Sequence, residues 1–126
     1  MPVRQRVYPT HDFVHTVWEG TVTMEDGRAH NEALRNDPDF SPSMRQLSDA
    51  RTARSAVSGD GIRTLAKTSA FGPESRRAIL VADDNTFGVS RMYEAQADQA
   101  GHVRIFRDET EALEWLGIDP AVIAEE

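Results

Sequence analysis

The chain has 126 residues and a mass of 14.0 kDa, with 39% apolar and 28% charged residues, which predicts one folded domain over residues 1–126 rather than disorder. Acidic residues outnumber basic ones, 21 to 14, for a net charge of -7; this argues against non-specific nucleic-acid binding and against docking on anionic lipid, which both need a cationic surface. There are no cysteines, which removes disulfides, thiolate nucleophiles, cysteine-based zinc sites and iron–sulfur clusters.

Val3 to Tyr8 alternates in polarity and Pro9 ends it. Phe13 to Trp18 also alternates, with Val14 and Trp18 on one side. Both read as strands, and the short link between them predicts an antiparallel hairpin, with Gly20 breaking the second strand. Thr23 to Leu34 reads as a helix capped by Thr23, with Glu25 and Asp26 near the positive end of its dipole and Gly27 weakening it. Pro38 disfavours a helical Asp37 and stops it. Asp37 to Pro42 follows as a loop with Phe40 tucked inward, and Met44 to Ser48 as a third strand.

Ser58 opens a second helix, with Ile62, Leu65 and Ala66 on one face, and Gly72-Pro73 closes that region. Ala78 to Ala82 is apolar on both faces, as a central strand covered by helices should be. After the turn Asp83-Asp84-Asn85, a helix is predicted from the stripe Val89, Met92, Tyr93, Gln96, Ala97 and Ala100, with Gly101 as its C-cap. Val103 to Phe106 is the last strand. Asp108 caps the next helix, Glu111 stands at the capping-box position, and Ala112, Leu113 and Leu116 form the buried stripe. Gly117 ends that helix and Pro120 opens a short final one. Strands alternating with helices after a hairpin predict an α/β fold: a mixed, mostly parallel sheet with an N-terminal antiparallel hairpin, flanked by helices. The longest apolar run, Ala78 to Ala82, is too short to span a bilayer, and Met1 to Arg6 has no apolar signal core behind it. The expectation is a cytoplasmic protein with no membrane insertion.

Three stretches carry a resemblance to a known family. They are Asp37-Pro38-Asp39-Phe40 followed by Gln46-Leu47-Ser48-Asp49; Arg77 to Val81 followed by Phe87 to Tyr93; and Val103 to Asp108 followed by Glu111 to Leu116. Together they resemble the bacterial SpoIIAA-like, or STAS-like, family over roughly Val14 to Gly117, and the closing strand with its "EALEWLG" is the most specific part. The resemblance implies a mixed sheet flanked by helices. It also implies a non-catalytic protein-binding module of the kind that acts in anti-sigma-factor pathways, switched by phosphorylation of a serine at a helix start. SpoIIAA-like members further resemble the CRAL-TRIO lipid-carrier fold, which implies an apolar pocket. Fold-level analogy carries function only weakly.

The family's switch serine sits in an Asp-Ser-Ser-Gly stretch, and the comparable place here is Ala56-Val57-Ser58-Gly59-Asp60. Ser58 and Gly59 match, while the preceding Asp-Ser does not. A helix N-terminus stabilises a phosphate, yet Asp60 would repel it, and an N-cap role explains Ser58 without any phosphate. Phe87, Arg91 and Tyr93 would line a pocket with an apolar wall and one charge for a carboxylate or phosphate head; alternatively, Met92 and Tyr93 pack on the sheet while Arg91 pairs with a surface acid. Asp49, Asp83, Asp84 and Asp108 follow predicted strands, where clustered carboxylates would hold Mg²⁺ or accept a phosphoryl group; turns and caps explain them as well.

His11, His15, His30 and His102 show no metal-ligand spacing and read as surface or turn histidines. Gly59-Asp60-Gly61 lacks the context of a dinucleotide site, and no serine shows a nucleophile-and-base arrangement. Trp18 and Trp115 mark either a partner surface or the core. The sequence therefore predicts no enzyme, no cofactor and no metal. It predicts a regulatory module for a protein partner, or else a carrier or sensor of an apolar or amphipathic molecule held between the sheet and the Phe87–Ala97 helix. A homodimer is left open.

Overall fold

The computed structural model describes residues 2–97, 102–124 and 126. Its strands are β1 (Val3–Tyr8), β2 (Phe13–Val22), β3 (Arg45–Ser55), β4 (Arg76–Leu80) and β5 (His102–Phe106). Its α-helices are α1 (Met24–Asn36), α2 (Gly59–Lys67), α3 (Asp84–Ala97), α4 (Glu109–Leu116) and α5 (Ala121–Ala124). A single turn of 3-10 helix, Pro9–His11, joins β1 to β2. The five strands lie in the order β1-β2-β3-β4-β5. β1 pairs antiparallel to β2, and the remaining pairs are parallel. The sheet is thus mixed and mostly parallel, flanked by helices, as the sequence predicts.

Local chemistry explains the helix ends. The Thr23 side chain accepts the Asp26 N–H while Asp26 accepts the Thr23 N–H, so a reciprocal box starts α1. At α4, where the sequence suggests such a box, Asp108 caps through the Thr110 N–H at 2.8 Å. Gly117 closes α4 in the left-handed conformation at φ 73°, which a residue with a Cβ adopts only with strain.

Two strands are longer than their sequence pattern. Gly20 does not break β2; the chain passes through it at φ 67° and pairs with β3 to Val22. In β3 the partner of Val17 is Asp49, but that of Glu19 is Thr52, so β3 carries one extra residue there. That bulge reverses which residues face inward and hides the alternation beyond Ser48. β4 is displaced toward its N-terminus, starting at Arg76 rather than Ala78, because Arg76 and Arg77 pair with His102 and Val103. The stripe of α3 is also rotated from its predicted place: Thr86, Ser90 and Ala97 are buried, while Met92 is 46% exposed. Ala100 and Gly101 lie outside the described residues.

The two faces of the sheet are filled differently. On one, Phe13, Leu47, Ala78 and Leu80 meet Ala112, Leu113 and Leu116 of α4 and Ile118, with Val122 and Ile123 of α5 packed alongside. The other face, under α1, α2 and α3, carries two smaller clusters. Val14, Leu34, Met44, Ala70 and Phe71 form one, and Ala66, Ala97 and Val103 the other. Leu47 is fully buried in the large cluster, so Leu47→Ala is expected to cost about 3 kcal/mol in urea unfolding through lost transfer energy and the cavity left behind.

Candidate functional site

Between the two smaller clusters the layers do not close. A cavity of about 160 Å³ lies between the sheet and α1, α2 and α3. Its floor comes from Trp18 of β2, Gln46, Ser48 and Ala50 of β3, Arg77 and Ile79 of β4, and Val103 of β5. Gly27, His30 and Asn31 of α1, Ile62 and Leu65 of α2, and Val89, Ser90 and Tyr93 of α3 roof it. Past the bulge the inward residues of β3 are Ala53 and Ser55, so the bulge itself shapes the wall. The half-buried Val22, Ala53, Ser55 and Val57 set the rim at the carboxyl ends of β2 and β3, where parallel sheets commonly bind ligands. Gly27 matters here: a Cβ on it would stand 2.7 Å from a Leu65 methyl, so its absence lets α1 close on α2.

The polar groups at the cavity are ordered. Trp18 Nε1 donates to Ser48 Oγ at 2.8 Å. Gln46 Nε2 donates to Thr16 Oγ1 at 2.9 Å, and Thr16 Oγ1 lies 3.0 Å from His30 Nε2. The His30 ring stands 4.9 Å from the Trp18 ring, centroid to centroid. Burial, and then the positive charge of Arg77, lower the His30 pKa from 6.5 to about 4.

Arg77 is the unusual member. It sits on β4, between β3 and β5, and is 2% exposed. Its Nη1 donates to Tyr93 Oη at 2.7 Å and to Ser69 Oγ at 3.1 Å. The Phe71 and Tyr93 rings lie 5.2 and 5.5 Å from its guanidinium carbon. Nε and Nη2 have no hydrogen-bond partner among the described residues. Sequence reasoning missed this residue because the predicted strand began at Ala78. The signal was present: Arg77 shares parity with Ile79 on a strand flanked on both sides.

Of the three pocket candidates from sequence, Tyr93 lines the cavity. Phe87 and Arg91 lie on the outside of α3, where Arg91 is 3.7 Å from Glu94 and Phe87 packs under Arg91 and Arg107. Ser58 is exposed and caps α2, accepting the Gly61 N–H at 3.0 Å, and Asp60 pairs with Arg63. The acids after the strands are taken up locally. Burial works upward on Asp49, but hydrogen bonds and charge from Arg51 hold its pKa below the ordinary value. Asp83 caps the start of α3 through Thr86, whose hydrogen bonds hold its pKa down. Asp84 pairs with Arg107 at 2.9 Å.

Among the described residues, no three histidine or acidic side chains converge as a metal site. Two histidines read as surface residues prove buried, His15 and His30. His15 Nδ1 bonds Glu126, and His30 stands in the cavity wall. Their neighbours Thr16 and Asn31 are buried polar residues too, so local polarity concealed their burial. Trp115 is half-buried against Phe106, with Arg76 across its ring. No described helix is long and apolar enough to cross a membrane.

No family model matches the chain, and no curated protein matches it. Its structure is similar to that of an uncharacterized protein of the DUF3478 family from Shewanella loihica PV-4, described as having a SpoIIAA-like fold. The TM-score is 0.62 at 20% sequence identity, covering 90% of this chain and 93% of that one. The fold is therefore SpoIIAA-like, in line with the resemblance read from the sequence.

The depressed pKa of His30 makes stability depend on pH. Above 6.5 the ring is neutral in both folded and unfolded chains. As pH falls through 6.5 the unfolded chain takes up the proton, while the folded one resists until about 4. Stability contributed by His30 is thus complete above 6.5 and is lost on acidification, by up to roughly 3 kcal/mol. Urea midpoints measured between pH 7 and 4 are expected to fall more steeply for the natural protein than for His30→Gln.

Proposed function

We propose that the protein is a non-catalytic binding module that takes up a small amphipathic molecule between its sheet and α1, α2 and α3, as a carrier or sensor. The observation that carries this reading is the cavity, about 160 Å³ of largely apolar space, in a layer that would otherwise be core. Its volume resembles that of an engineered cavity of about 150 Å³ that binds benzene. Apolar walls with a few placed polar groups are the usual make-up of small-molecule sites. The hydroxyl–imidazole pair of Thr16 and His30 favours binding over catalysis. Thr16 is fully buried, is not part of the cavity wall and already accepts from Gln46.

A second reading, the regulatory protein-binding module, draws support from Ser58. It is exposed at the start of α2, whose Ile62 and Leu65 reach the cavity, so one helix joins a modifiable end to the ligand space. Phosphate mapped to Ser58 in protein purified from its native cells would support that reading; a bare Ser58 under all growth conditions would remove it.

The cavity reading is tested by titrating toluene into the protein and following the indole N–H resonance of Trp18, which borders the cavity. A saturable shift is expected. Ser90→Leu, which places a larger side chain in the space, is expected to abolish that shift and to raise stability by about 1 kcal/mol. A Trp18 resonance indifferent to toluene, with no non-covalent mass retained in native mass spectrometry, would overturn the proposal.

A further inference from the structure

The polarity of the cavity runs along the strands. From the amino end of β3 toward the rim, its wall residues are Gln46, Ser48, Ala50, Ala53 and Ser55. Gln46 pairs in register with Arg77 of β4 and donates to Thr16 of β2, so a polar row crosses the inner end. At the rim stand Val22, Ala53 and Val57, and Ser55 Oγ there accepts the Val57 N–H. We propose that the cavity takes a compact uncharged molecule head first, with a carbonyl oxygen at the inner end that accepts a hydrogen bond from the Tyr93 hydroxyl. The assignment rests on the cavity reading above and names its ligand class.

Arg77 decides what the inner end offers. A guanidinium only donates, so a hydroxyl bonded to it accepts there and has its own hydrogen to give elsewhere. Arg77 Nη1 donates to Tyr93 Oη at 2.7 Å and to Ser69 Oγ at 3.1 Å, and Ser69 Oγ also accepts the Phe71 N–H. Neither hydroxyl hydrogen has an acceptor among the described residues. The bond from the cation polarises the Tyr93 O–H, which strengthens it as a donor. His30 adds another hydrogen. Thr16 is fully buried and accepts from Gln46, so its hydrogen goes to His30 Nε2. The neutral ring then carries its own hydrogen on Nδ1, with no partner there among the described residues. Tyr93, Ser69 and His30 all belong to the cavity wall.

Donors that lack an acceptor select a carbonyl. A carboxylate fits less well. Nε and Nη2 of Arg77 are sealed inside the protein and Nη1 is taken up by the hydroxyls. The charge would enter apolar space unpaired, at a far greater cost than a carbonyl. A hydroxyl head brings a hydrogen of its own, and Gln46 Oε1 is the acceptor it would need, left over where the amide nitrogen bonds Thr16. Acetophenone and α-methylbenzyl alcohol share one skeleton and differ at the head, which makes them the discriminating pair.

The experiment follows the Trp18 indole resonance at pH 7 while acetophenone, α-methylbenzyl alcohol, benzoate or toluene is titrated into the natural protein and into Tyr93→Phe. Acetophenone is expected to bind the natural protein at least fivefold more tightly than the alcohol or benzoate. Tyr93→Phe keeps the ring and lacks the hydroxyl. It is expected to keep its toluene affinity, which shows the cavity intact, and to lose at least fivefold in acetophenone affinity. Magnetisation transfer from the acetophenone methyl is expected to reach the Tyr93 ring; transfer to Val57 instead would overturn the head-first orientation. Toluene binding with acetophenone no tighter than the alcohol, or with benzoate the tightest of the four, would overturn the carbonyl assignment and leave the cavity reading standing. So would full acetophenone affinity in Tyr93→Phe. Binding of none of the four probes would overturn both. Should Tyr93→Phe fail to fold, the ratio of acetophenone to alcohol affinity in the natural protein decides alone.

Discussion

The strands lie side by side in the order in which the chain makes them, and this constraint distributes everything else. A right-handed crossover that steps always in the same direction returns its helix to the same face. The connections from β2 to β3, β3 to β4 and β4 to β5 therefore send α1, α2 and α3 to one side. Only the chain after β5 is free to cover the other, and α4 and α5 do so. Large side chains close that second face: Phe13, Leu47, Leu80 and Leu116 are among the most deeply buried residues. The three-helix face is built differently. Gly27, Ala66, Ser90 and Ala97 bring its helices together with little volume to spend on the sheet below. Two clusters form and the space between them stays open.

Arg77 and His30 make sense as one electrostatic unit. A guanidinium held at the floor of this space sets a positive field, and the same field, added to burial, keeps His30 neutral. A neutral His30 can then share a hydrogen bond with Thr16, which in turn accepts from Gln46. The polar lining thus carries a single net charge, on Arg77.

Much of the fold was legible because its signals are local. The alternation of Val3 to Tyr8, the Thr23, Ser58 and Asp108 caps, Pro38 and Gly117 each act within a few residues, and each operates where the pattern places it. The site was less legible because it depends on what local pattern does not encode. The bulge opposite Val17 and Glu19 changes the parity of β3, so Ala53 and Ser55 face inward where simple alternation points them outward. The rotation of α3 is fixed by α2 as well as by the sheet. This turns Thr86 and Ser90 inward and leaves Met92 exposed, its methyl beside Gly59. Tyr93 belongs to both the expected and the observed faces, which is why sequence found it. Arg91 and Phe87 do not share the inward face and lie outside. Arg77 was hidden because the predicted strand began one residue later, at Ala78, whereas β4 starts at Arg76.

The energetics of an unfilled cavity bear on why such a space is kept. At roughly 24 cal/mol per Å³ for a sealed void, about 160 Å³ would forfeit at most on the order of 4 kcal/mol, and less here because the space opens at its rim. Domains of this size have only about 5–15 kcal/mol of net stability. A leucine in place of Ser90 or Ala50 would take up part of the space. Small side chains around the space and a buried cation in its wall both cost stability at one place. On the proposed carrier or sensor reading, the apolar body of a ligand would restore the missing contacts. A ligand present at a hundred times its Kd would return about 3 kcal/mol. On that reading, occupancy of the cavity would raise the stability of the α1–α3 layer, and with it that of α2, whose Ile62 and Leu65 line the space and whose N-cap Ser58 is exposed.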